Sequence, residues 1–117
     1  MTFDEQHKIL QALLNEGPLS VDDPRVVQLL KVWACPSIDL ENHQILEEVI
    51  KRVPKKICED HCLIPIKISD GRLIVAMALP FDLRAIDTLA FQTGIRSIEP
   101  MKADTLSIRA MIQKYYG

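Results

Sequence analysis

A chain of 117 residues has the length for one domain with a single buried core, and its formal net charge of −2, from 14 basic and 16 acidic residues with no basic run longer than Lys55-Lys56, disfavours nucleic-acid binding. The longest apolar run, Leu73 to Leu79, is too short to span a bilayer, and the acidic Asp4 and Glu5 at the start argue against a signal peptide. Three cysteines are an odd number, and Cys58 and Cys62 fall in a helical pattern, which suits reduced thiols and a cytoplasmic protein better than a disulfide framework.

The first element reads as a helix. Thr2 with Glu5 forms a capping box, and Phe3, Leu10, Leu13 and Leu14 recur at helical spacing until Gly17-Pro18 stops the pattern. Asp23 caps a second helix with Pro24 in its first turn and an apolar stripe of Val26, Leu30, Trp33 and Ala34. The two are expected to make a helical hairpin lobe over residues 1–35.

Pro36 ends that unit, and Ile38-Asp39-Leu40 is extended or loop. Asn42 is placed to start a third helix carrying Ile45, Val49 and Val53, and Pro54 opens a short fourth one. The period then changes to that of a strand. Leu63, Ile64, Ile66 and Ile68 make the first strand, Asp70-Gly71 is a hairpin turn, and Leu73 to Met77 make the second. Asp82 caps the next helix, with Phe81 stapled onto Ile86 and a buried face of Leu83, Ile86, Leu89 and Ala90, and Gly94 stops it. Ile95, Ile98 and Met101 suggest a third strand, joined to the second by a right-handed parallel crossover. A final helix carries Ile108, Met111, Ile112 and Tyr115. The expected architecture is a single α+β domain over 1–117. A helical N-terminal lobe of about four helices precedes a ββαβα unit with a small three-stranded mixed sheet, residues 36–117 forming the α+β unit.

None of Gly17, Gly71, Gly94 and Gly117 is followed by Lys-Ser or Lys-Thr, so no phosphate-cradling P-loop can be built. A dinucleotide fingerprint, a nucleophile elbow and a zincin helix are absent as well. Cys58, His61 and Cys62 would share one helix face, as a tetrahedral zinc site could use with Cys35, His7 or His43 as a fourth ligand. Small buried thiols beside Ile57 and Leu63 are the simpler reading. His61 beside Glu59 or Asp60 could act as a base only with a pocket and a partner. Trp33 and Tyr115-Tyr116 fit core packing better than a base-stacking platform, since only Lys31 brings a positive charge near Trp33. Glu47, Glu48, Lys51 and Arg52 read as the solvated side of a helix. No residue is assigned a catalytic, cofactor-binding or metal-binding role, and the chain is not expected to be an enzyme.

The second half carries a longer pattern. Val53 to Ile66 (VPKKICEDHCLIPI), Gly71 to Leu83 (GRLIVAMALPFDL), Leu89 to Gly94 (LAFQTG) and the closing Tyr115-Tyr116-Gly117 resemble, in order, the N-terminal domain of type II secretion and type IV pilus assembly ATPases. The resemblance covers residues 36–117. It implies a non-catalytic docking domain that joins the motor, through an ATPase domain downstream in the parent chain, to the cytoplasmic domain of an inner-membrane platform protein. The chain would then sit at the membrane only through that partner, without inserting itself. Some relatives instead bind cyclic di-GMP through a helical motif of Arg-Leu-Gly, a later Gly, spaced leucines and a Gln. Here Gly17, Leu29 and Leu30 remain, but Lys8-Ile9-Leu10 stands near the Arg-Leu-Gly place and Lys31-Val32-Trp33 near the Gln. Losing that glycine blocks close backbone approach, and losing the Gln removes a donor-acceptor pair. A second departure is Leu79, where the family often has an acidic residue, and it is expected to alter one surface contact. A small zinc-binding adaptor is the remaining alternative.

Overall fold

A computed structural model describes residues 2–117. The described residues form six helices and three strands: α1 (Phe3–Glu16), α2 (Pro24–Val32), α3 (Glu47–Arg52), α4 (Lys55–His61), β1 (Leu63–Ser69), β2 (Arg72–Met77), α5 (Leu83–Thr93), β3 (Ser97–Lys102) and α6 (Thr105–Tyr116). Helices followed by a ββαβα order, with a mixed three-stranded sheet, are the α+β architecture expected from the sequence.

Local chemistry sets most boundaries. The Thr2 hydroxyl accepts from the Glu5 N–H at 3.2 Å, the Asp23 carboxylate from the Arg25 N–H at 2.9 Å, and Asp104 from both Leu106 and Ser107 N–H groups. Each satisfies donors that a helix leaves open in its first turn. At the hairpin, Asp70 (φ 52°) and Gly71 (φ 74°) both take the left-handed conformation that a tight turn between antiparallel strands demands. Gly94 (φ 72°) ends α5 in the same conformation.

The sheet order is β1-β2-β3, with β1 antiparallel and β2 parallel to β3. Between Pro65 and Lys67 the β1 register shifts by one residue, a bulge at Ile66. Pro65 and Pro100, which cannot donate to a ladder, sit on the two edge strands, where that loss is tolerated. The segment entering the α+β unit extends β3 at its end, with Lys102 N–H donating to the Pro36 carbonyl at 2.8 Å and Ile38 N–H to the Lys102 carbonyl at 3.0 Å.

Two buried clusters result. The larger joins the sheet (Leu63, Ile64, Leu73, Val75, Met77) to Val49, Val53, Cys58, Leu89 and Ile108. By packing, α3 and α4 therefore belong with the sheet. The smaller gathers Leu10 and Leu13 of α1, Val26 and Leu29 of α2, and Leu79 and Phe81 from the β2–α5 connection. The last turn of α6 is tied back across the chain. Ile45 N–H donates to the Tyr115 hydroxyl at 3.1 Å, and the Tyr116 hydroxyl lies 2.8 Å from the Val53 carbonyl and 3.2 Å from the Ile50 carbonyl.

Several expectations from the sequence are corrected. Asn42 does not start α3, which begins at Glu47 with no side-chain cap; the buried Leu40 and Ile45, and the Ile45 N–H bond to the Tyr115 hydroxyl, hold the segment ahead of it in a non-helical course. Helix α2 ends at Val32, which leaves Ala34 exposed and makes Leu29, fully buried, its inward residue. On α1, Phe3 is 72% exposed. Leu83 faces solvent, and Ala85 takes the buried position instead, since Asp82 caps through the Ala85 N–H and so fixes the phase of the helix. Phe81 belongs to the smaller cluster, whereas Ile86, onto which its spacing would staple it, packs against the larger one. Phe81 is fully buried there, 5.3 Å from the Trp33 ring.

Candidate functional site

The stretch that stands near the places of the relatives' nucleotide-binding motif is used mainly to build the smaller core. Leu10, near the place of the motif glycine, is 3% exposed, and Leu29 is fully buried. Gly17 has φ 129° and ends α1. Trp33, near the place of the Gln, lies against Phe81 and at 6.3 Å from His7. Leu79 is 8% exposed within this cluster, so its departure from an acidic residue lies in the core and not on the surface. A leucine here adds apolar area between hairpin and sheet, where a carboxylate would have to leave the cluster to keep its charge in water.

Cations from the α+β unit complete the seam. Lys102 Nζ donates to the Leu30 carbonyl in the last turn of α2 at 3.0 Å, and the Arg84 guanidinium donates to the Leu14 carbonyl in the last turn of α1. Both meet carbonyls that a helix leaves unpaired at its negative end. Within the hairpin, Arg25 bridges Glu16 at 2.6 Å and Asp23 at 2.9 Å, and its hydrogen bonds hold both carboxyls below their ordinary range.

Cys58 and Cys62 line one cavity between α4 and α6, whereas Cys35 and His61 meet other partners. Cys58 is fully buried, and burial pushes its thiol up to about 11, with the Tyr116 hydroxyl beside it working the other way. Cys62 ends α4 in the left-handed conformation (φ 49°), its thiol raised by burial and moderated by Thr105. Cys35 points to the Pro100 carbonyl at 3.3 Å. His61 Nδ1 lies 4.0 Å from Asp82 Oδ2, so its carboxylate neighbour is the α5 cap and not Glu59 or Asp60. Among the described residues no three His, Cys, Asp or Glu side chains come together as a metal site. The raised thiols are poor metal ligands and nucleophiles, since both roles need the thiolate.

The surface holds several large apolar side chains: Phe91 is 91% exposed on α5, Leu106 73% on α6 and Leu46 63% just before α3. The sequence reading assigned none of them. The signal was present in α6, where 106, 110 and 113 fall opposite the buried stripe of 108, 111 and 112, but which faces stay uncovered depends on the tertiary packing. No helix among the described residues is long and apolar enough to cross a membrane.

Comparison with known proteins fits this geometry. The MshEN domain family matches residues 33–117. The type IV pilus assembly ATPase PilB of Myxococcus xanthus (strain DK1622) is 35% identical over 119 aligned residues, a match that covers 97% of this chain and 20% of PilB, so the chain spans about a fifth of that relative's length. Among solved structures, MshE with cdg superposes with a TM-score of 0.66 at 20% identity, covering 99% of this chain and 91% of that one. The N-terminal domain of XpsE gives 0.61 at 19% identity, covering 99% of both. These two establish the fold. The chain belongs to the MshEN domain family, and with it to the N-terminal domains of type II secretion and type IV pilus assembly ATPases.

Proposed function

We propose that this domain is a docking module of a secretion or pilus motor, joining an ATPase domain of its parent chain to the cytoplasmic domain of an inner-membrane platform protein. It does no chemistry itself and works in the cytoplasm. The observation that carries the reading is the match of residues 33–117 to the MshEN family together with the PilB likeness. Large apolar side chains left in water, Phe91 and Leu106 among them, support it, since a partner would gain by covering them. The test is calorimetric titration of the purified domain with the cytoplasmic domain of the platform protein from the same secretion or pilus system. Saturable one-to-one binding is expected, and its absence across the micromolar range would sink the docking reading.

A second reading, a cyclic di-GMP sensor, is favoured by the likeness to MshE with cdg and by the retained Gly17. Against it stands the use of Leu10 and Leu29 as core residues. A thermal melt with cyclic di-GMP decides. Ligand at about a hundredfold over its dissociation constant would add about 2.7 kcal/mol and raise the Tm by several degrees. The docking reading alone expects no shift.

A further inference from the structure

The hairpin is joined to the α+β unit by a strap, residues 33–38, laid beside the outer edge of β3. One parallel bridge holds it. Ser37 sits opposite Lys102, with the Lys102 N–H on the Pro36 carbonyl at 2.8 Å and the Ile38 N–H on the Lys102 carbonyl at 3.0 Å. A parallel ladder repeats every second residue, so the next pair in this register is Cys35 opposite Pro100. Its bonds would run from the N–H of residue 100 to the Ala34 carbonyl and from the N–H of residue 36 to the Pro100 carbonyl. Both donors fall on prolines, so neither bond can form. The Cys35 thiol reaches the Pro100 carbonyl instead, at 3.3 Å.

The strap therefore zips no further than Ser37, and the hairpin ahead of it is a unit tied to itself. Leu10 and Leu13 of α1 share a core with Val26 and Leu29 of α2, and Arg25 joins Glu16 to Asp23. Its ties to the α+β unit are Leu79 and Phe81, the Arg84 side chain on the Leu14 carbonyl and the Lys102 side chain on the Leu30 carbonyl. Lys102 grips twice, with its main chain on the strap and its Nζ on the end of α2. Local opening in proteins follows boundaries of this kind, where few buried contacts cross.

We infer that the opposed Pro36 and Pro100 are a stop built into the ladder, which makes residues 3–36 a separate opening unit. Hairpin and strap leave the sheet together and uncover Leu79 and Phe81, while the α+β unit stays folded. The inference does not depend on the docking reading.

Hydrogen exchange of the domain in rising denaturant, read on peptides by mass spectrometry, tests it. Peptides of α1 and α2 should share one opening step, at lower denaturant than β2. Pro100→Val is the informative variant. Residue 100 stays in β3 whether the hairpin is open or closed, so the substitution gives the ladder a donor without loosening the open strap. One added bond should slow hairpin exchange about fivefold relative to β2, and the new amide at position 100 should be protected when followed by NMR. Pro36→Val supplies the other donor but also frees the open strap, so its gain should be smaller. Pro65→Val, on the opposite edge strand where no strap runs, should leave the ratio unchanged. Pro100→Ala serves if the valine variant does not fold. Hairpin and β2 amides that open together in one step overturn the inference. So does a Pro100→Val ratio within about twofold of the parent, whether or not the new amide is protected, and so does equal slowing by Pro65→Val.

Discussion

Leu79 occupies a position where the family resemblance leads one to expect an acidic side chain, yet here it is 8% exposed between the hairpin and the sheet. Leu79→Glu would remove a packed leucine and press a carboxylate into an apolar seam, at a cost of about 2–5 kcal/mol, read as a lowered urea midpoint. Cys58 carries a different kind of prediction. Burial raises its thiol from 9.0 to about 11, and burial raises the Tyr116 phenol above 10.0 as well. In both cases the folded state holds a proton that the unfolded chain gives up sooner. The associated stability is thus complete below about pH 9 and is lost as pH climbs toward and past about 11. Denaturant melts at pH 8 and pH 10.5 should show a marked loss at the higher pH, and Cys58→Ala should make that loss smaller.

Asp82 governs an element more than a contact, since it starts α5 and sets which residues of that helix turn inward. Asp82→Ala should cost about 1 kcal/mol through the lost cap, checked by the shift in Tm. Elements governed by such short-range chemistry were legible in the sequence: Thr2, Asp23 and Asp82 as caps, Asp70-Gly71 as the hairpin turn, Gly94 as the helix stop. What was not legible depended on distant partners. The residues ahead of α3 are held by Ile45 on the hydroxyl of Tyr115, 70 positions away, so the local capping propensity of Asn42 had no say. Phe81 suits a staple by spacing, but the hairpin offers it Trp33 and a fully dry site. The apolar side chains that stay uncovered were hidden for the same reason. Leu106 and Phe91 are ordinary helix residues until the packing of α6 and α5 leaves them uncovered.

For the whole molecule, the two buried clusters are of unequal size. The hairpin meets the α+β unit through Leu79, Phe81 and Trp33 and through the cations Arg84 and Lys102 at the ends of α1 and α2. Amides of α1 and α2 should therefore exchange hydrogen faster than those of β2, which lies between two strands. Arg84→Ala with Lys102→Ala should speed exchange in the hairpin severalfold and leave β2 unchanged, as mass spectrometry of deuterated peptides would record. The other end of the domain is built differently. The hydroxyls of Tyr115 and Tyr116 fasten the last turn of α6 to the backbone at Ile45, Ile50 and Val53. A tension applied along α6 at Tyr116 would reach the loop before α3 and the α3–α4 junction directly, in parallel with the sheet and without first unzipping a strand. Those bonds would be loaded together, so the domain would behave under pulling as a stiff coupling and yield at the hairpin before it yielded there.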